Sequence, residues 1–155
     1  MKEIISTQFL TDYISHVRNR QYMSGVERDK NRIKKTAEWF TPTSLVIDLI
    51  NEIENNYPNF FFDKEKTVLD KSCGDGNFLS EMVIRKIERT KCSLEQALST
   101  TYGVDLMEDN VNECRRRLAG PNPTPEILEI VNRNIVCHDA LTYDYRFEED
   151  DGLII

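Results

Sequence analysis

The sequence predicts an α/β fold, a doubly wound parallel sheet with helices between its strands and a helical extension at the N-terminus. Two observations carry this. Short apolar runs alternate with longer segments whose apolar residues recur at helical spacing, and strands separated in that way pair in parallel. The stretch Thr67-Val-Leu-Asp-Lys-Ser-Cys-Gly-Asp-Gly-Asn-Phe-Leu79 also reads as a strand, a tight glycine turn and a helix start. Glycine serves such a turn because a Cβ would block both the sharp reversal and the approach of a ligand to the backbone.

In chain order, residues 4–17 place Ile4, Ile5, Phe9, Tyr13, Ile14 and Val17 on one face, so an amphipathic helix is expected. The basic stretch 18–36 follows as a loop or weak helix around Ser24-Gly25, completing an N-terminal extension over 1–36. The α/β domain is expected over 37–155. Thr41 suits an N-cap and Pro42 a first helical position, with Leu45, Val46, Leu49, Ile50 and Ile53 as the buried face of that helix. Asn55-Asn-Tyr-Pro58 stops it, and Phe60–Phe62 plug the space before the first strand, 67–70.

A helix over about 77–90 turns Phe78, Leu79, Met82, Val83 and Ile87 inward. Ser93-Leu-Glu-Gln96 has the form of a capping box and starts a short helix through Leu98. Thr100–Asp105 reads as the second strand. Glu108–Ala119 reads as a helix, with Val111, Cys114 and Leu118 inward and Gly120 as its stop. Pro121–Pro125 is a stiff loop leading into a helix that contains Ile127, Leu128, Ile130 and Val131. Asn134–Asp139 is the third strand, Tyr143–Asp151 is turn-prone, and Leu153-Ile-Ile155 begins a fourth strand, where the sheet is cut short.

Bulk properties narrow the classes. The 155 residues carry a net charge of −7 with 39% apolar residues, and no run reaches the roughly 18 apolar residues of a membrane span. No signal-peptide pattern opens the chain. Cys73, Cys92, Cys114 and Cys137 are widely spaced, as expected of reduced thiols in a cytoplasmic protein rather than of a zinc site or disulfide framework. His16 and His138 lie far apart, which gives a histidine metal site little support. Residues 18–35 hold seven basic residues against two acidic ones. Such a segment can contact DNA, or dock on the acidic body of the protein itself.

Ligands of parallel sheets bind outside the carboxyl ends of the strands. Here three strands each end in an aspartate, Asp70, Asp105 and Asp139, and the glycine turn carries Asp75 as well. An acidic turn is a poor cradle for pyrophosphate and a good one for a ligand bearing positive charge. S-adenosylmethionine (SAM), with a sulfonium and an ammonium, is such a ligand. Asp105 can accept hydrogen bonds from two ribose hydroxyls, Asp139 from an adenine amine, and Leu106 and Met107 can flank the ring. A dinucleotide site needs a third glycine where Leu79 stands, and an acid closer than Asp105.

These residues resemble a known family. Asp70-x-x-Cys73-Gly74-x-Gly76-x-Phe78-Leu79 is similar to the SAM-binding motif of class I methyltransferases, in the form D-P-x-C-G-x-G-x-F-L of adenine-N6 DNA methyltransferases. Phe40-Thr41-Pro42 resembles the F/Y-T-P element that helps hold the methionine end of SAM. Gly103-Val-Asp105 resembles the ribose-binding strand end, and His138-Asp139-Ala140-Leu141 the adenine-contacting one. The resemblance covers about residues 36–155 with all four elements in order. It implies a Rossmann-like fold, SAM as cofactor, and methyl transfer to a flipped adenine in DNA of the kind used in restriction-modification.

Two departures stand out. Lys71 replaces the usual proline. The acceptor motif [DNS]-P-P-[YFW], expected after the fourth strand, does not occur in these 155 residues, nor does a target-recognition domain. In those enzymes a side-chain oxygen and a backbone carbonyl accept the amine hydrogens while the aromatic ring stacks the extruded base. Two alternatives follow: an adenine methyltransferase whose acceptor groups come from a partner chain or further sequence, or a SAM-binding module without transfer. A third reading has Tyr143-Asp-Tyr145 form a substitute acceptor site.

Overall fold

Three short parallel strands, β1 (Val68–Asp70), β2 (Thr101–Asp105) and β3 (Ile135–Cys137), form the sheet of the computed structural model, which describes residues 5–19 and 41–147. Asp70 pairs in register with Gly103, and Gly103 with Ile135. The spatial order β1-β2-β3 follows the sequence order. The reversal of strand order that defines a doubly wound sheet is therefore not among the described residues. The fourth strand at 153–155, the segment 20–40 and Phe40 within it lie outside them.

The helices are α1 (Thr7–Arg18), α2 (Thr43–Asn56), α3 (Asn77–Thr90), α4 (Leu94–Ser99), α5 (Glu108–Ala119) and α6 (Pro125–Asn134). Local chemistry sets their ends. Ser6, Ser93 and Thr124 cap α1, α4 and α6 by accepting the N–H groups of Phe9, Gln96 and Ile127. Gly120 ends α5 at a φ of +83°. Helix α3 opens from Gly76 in the left-handed conformation, directly off the glycine turn. The Ser93–Gln96 box is only half formed, because the Gln96 amide reaches Lys64 O and Glu65 instead of the cap.

One core cluster joins α1, α3, α4, α5 and α6 through Tyr13, Leu79, Leu98, Leu118, Ile130 and Ile135, among others. A smaller one joins Val46, Ile50, Phe61 and Met82. Lys86 is buried within α3, where its ammonium donates to Lys66 O and Thr100 Oγ1, both at 2.6 Å. Burial lowers its pKa, and those two acceptors tie the entrances of β1 and β2 together.

Several expectations need correction. Thr41 is not the cap of α2; Pro42 holds that position without a side-chain bond. Only Val46 and Ile50 of α2 are fully buried, while Leu45 and Leu49 are 48% and 45% exposed. Those two leucines lie off the stripe that meets α3 and Phe61. On α1 the contact face is Tyr13 and Val17 with Leu10 and Ile14, whereas Phe9 is 39% exposed. The third strand stops at Cys137, so Asp139 stands two residues beyond it.

Candidate functional site

A cavity of about 510 Å³ opens at the carboxyl ends of the three strands. That volume lies in the range of small-molecule sites. The glycine turn forms its floor. Cys73 N donates to Val104 O (3.0 Å), Gly74 N to Asp105 Oδ2 (3.0 Å) and Gly76 N to Cys73 O (2.9 Å), so the turn is pinned to the end of β2. Gly76 combines a φ of +86° with a position where a Cβ would lie 2.7 Å from Cys114 Sγ on α5. At Gly103 a Cβ would lie 2.8 Å from Leu79 Cδ1 and 3.0 Å from Cys73, so a bare backbone lets the turn rest on the strand. The resemblance named Gly103 only as part of a strand end, and its function in the fold is this close approach.

The strand-end aspartates share one geometry. Asp70 accepts from Ser72 N (3.0 Å), Asp105 from Met107 N (2.9 Å) and Asp139 from Leu141 N (2.9 Å). Each closes an Asx turn that steers the chain off the sheet. All three line the cavity. Asp105 Oδ1 also accepts from Asn110 Nδ2 at 3.2 Å. With the bond from Gly74, these contacts occupy three of about four carboxylate lone pairs. The remaining one lies on Oδ2, so Asp105 has room for one further donor and not for the two ribose hydroxyls expected of it.

The charge distribution differs from expectation at Asp75. Its side chain is 1% exposed and lies 3.4 Å from Arg117 Nη1, so its charge is balanced inside the protein. Asp70, Asp105 and Asp139 carry the negative charge of the cavity wall. Burial, with the nearby charge of Asp105, raises the Asp70 pKa against the opposing pull of Ser72 N–H. The Cys73 thiol, beside Cys114, buried and facing Asp70 and Asp105, is pushed far above its usual range and stays protonated. Lys71 lines the cavity, with its ammonium 5.1 Å from the Tyr145 ring centre.

Of the residues expected in the site, Thr41, Asp70, Cys73, Gly74, Phe78, Asp105, Leu106, Asp139 and Ala140 line the cavity. Gly76 shapes the turn from behind. Pro42 caps α2 without lining the cavity, and Phe40 is outside the described residues. Asn77 was missed. Its amide donates to Thr41 O, and its Oδ1 accepts from Thr43 Oγ1 at 3.1 Å, which fastens the start of α2 to the start of α3. Leu106, 63% exposed, and Leu141, 94% exposed, form an apolar rim with Met107.

Tyr143 and Tyr145 do not line the cavity. Tyr143 packs against His138, Tyr145 and Phe147 at 4.9–5.2 Å, and Phe147 covers Tyr102 of β2 at 4.8 Å. Their hydroxyls are engaged internally, Tyr145 donating to Ala140 O and Tyr143 accepting from Phe147 N. Among the described residues no group of three His, Cys, Asp or Glu is arranged to hold a metal ion. The cavity thus offers carboxylate acceptors along one wall and apolar side chains at its rim. That combination suits a ligand with hydroxyl, amine or cationic groups at several points and a flat apolar part. No protein-family model, curated protein or solved structure matches the chain.

Proposed function

We propose that this chain binds SAM at the strand ends and is the cofactor half of a class I methyltransferase related to adenine-N6 DNA methyltransferases. The observation that supports this best is the convergence of three aspartates, two at strand ends and Asp139 just beyond one, on one cavity floored by a glycine turn. The fit is chemical. Three carboxylates suit a ligand with an ammonium, a sulfonium, a ribose diol and an exocyclic amine, and none of these groups calls for a phosphate cradle. In this reading the free lone pair of Asp105 takes a ribose hydroxyl and Asp139 takes the adenine amine. Leu106, Met107 and Leu141 cover the ring. Asp70, Cys73 and Phe78 face the methionine end, with Thr41 held over them by Asn77.

The cofactor supplies a methyl group already activated by positive sulfur. The protein's contribution is to hold it in line with an acceptor and keep water away. The sequence contains no [DNS]-P-P-[YFW], so transfer requires acceptor groups from a partner chain or further sequence. A second reading, a SAM-binding module that does not transfer, uses the same cavity. In either case the DNA contact is expected at the basic segment. Arg18, at the start of that segment, forms a two-pronged ion pair with buried Glu81 (2.8 and 3.0 Å).

Calorimetry with SAM and its demethylated product S-adenosylhomocysteine (SAH) tests the cofactor claim, and no heat with either ligand overturns both readings. Asp139→Ala is the clean variant, because Asp139 is exposed and its side chain accepts from Leu141 N in its own turn. A lost charge-assisted hydrogen bond of about 1.5–3 kcal/mol is a roughly ten- to hundredfold loss of affinity. Asp105→Ala is expected to abolish binding and also to loosen the turn that Asp105 braces. Labelled SAM incubated with DNA then separates the readings: transferred label identifies an enzyme, and binding without transfer identifies a module.

A further inference from the structure

Arg117 is 2% exposed and joins two parts of the chain that lie 100 and 42 residues before it. Its Nη2 and Nε donate to Val17 O at 2.8 and 3.3 Å. Its Nη1 donates to Asp75 O at 3.0 Å. Val17 lies in the last turn of α1, where carbonyls lack intrahelical partners, so the guanidinium completes that helix end. Asp75 lies between Gly74 and Gly76, the two left-handed glycines of the cavity floor. One buried fork therefore joins the end of α1 to the turn on which the ligand would rest.

Other contacts fix α1 on the same surface. Tyr13 Oη donates to Leu118 O at 2.8 Å and its ring lies against Gly120. Arg18 pairs with Glu81 of α3, and His16 meets Arg116 O at 3.3 Å. No residue of α1 lines the cavity.

We propose that α1 regulates the cofactor site from outside it, with Arg117 as the positioning residue that couples docking of α1 to the shape of the glycine turn. This rests on the SAM reading for its ligand, and the coupling itself is a property of the protein alone. Arg117 reaches Val17 O through Nε and Nη2 and Asp75 O through Nη1, a planar spread of donors that a compact ammonium lacks, so Arg117→Lys is expected to weaken the bridge while keeping the charge. The pair Arg18→Gln with Glu81→Gln removes the ion pair that holds the end of α1 to α3, keeps Arg117 itself and leaves no buried carboxylate unpaired.

The experiment is amide hydrogen exchange, without ligand and with SAH, on the full chain and both variants, with circular dichroism to check folding. Without ligand, the double variant is expected to speed exchange at Gly74 and Gly76 as well as in α1. With SAH, wild-type α1 is expected to gain protection, and Arg117→Lys to lose that gain together with affinity. The expected change is about five- to hundredfold, the usual range for coupled sites. Should Arg117→Lys fail to fold, the double variant carries both arms. Loosened α1 with unchanged turn amides overturns the coupling, as does SAH binding that leaves α1 protection unchanged. A wild type that binds neither SAM nor SAH overturns the cofactor reading instead, and the ligand-free arm still decides the coupling.

Discussion

Each strand-end aspartate spends part of its hydrogen-bonding capacity on the backbone N–H two residues ahead and turns the rest toward the cavity. A turn-forming role and a ligand-binding role are thus compatible in one side chain. At Asp70 this has a consequence for pH. Its pKa is raised above the ordinary 3.8 by burial, so the folded chain takes up this proton at a higher pH than the unfolded chain does. The cost of burying the charge is present above the folded pKa and relieved as pH falls through it, so Asp70 makes the protein more stable as it protonates. Affinity for a cationic ligand has the opposite sign, full above the folded pKa and lost below it. Calorimetric titration with SAH at stepped acid pH should show this loss in the wild type and a flatter profile in Asp70→Asn. Parallel profiles would remove Asp70 from the site. The aspartates were legible in the sequence because each follows an apolar run. Asn77 and Arg117 were not, because their partners lie 36 and 42 to 100 residues away and leave no local pattern.

At the scale of elements, the glycine at the end of α5 and the glycine turn before α3 fixed the bounds of those helices at the expected residues, since φ above zero is a local property of the chain. The faces of α1 and α2 were less legible. Both helices carry more apolar residues than the neighbouring surface can cover, and the spacing alone cannot say which are left out. For α2 the structure makes the distinction measurable. Val46 and Ile50 are 0% and 1% exposed, packed with Phe61 and Met82, whereas Leu45 and Leu49 stand outside that cluster. Ile50→Ala is expected to cost about 2–5 kcal/mol in urea unfolding. Leu49→Ala should cost about 0.5 kcal/mol or less, as exposed substitutions do. Equal costs would mean that Leu49 is covered.

At the scale of the molecule, the alternation of strands and helices made the parallel α/β sheet legible, and the register β1-β2-β3 brings the three aspartates to one end of it. Among the described residues, no helix is long and apolar enough to cross a membrane. What the sequence could not supply is the bracing of the cavity from behind, by α1 and Arg117 on one side and by Asn77 and the start of α2 on the other. Those contacts arise only when distant segments meet. Titration of the isotope-labelled protein with SAH, followed by amide NMR shifts, tests most directly whether SAM occupies the cavity at the strand ends. Shifts are expected to concentrate at Gly74 and Gly76, at Asp105–Met107 and at His138–Leu141. Shifts centred instead on the polar groove between Ser93–Ser99 and Glu126–Arg133, or no shifts at saturating SAH, would contradict that occupancy.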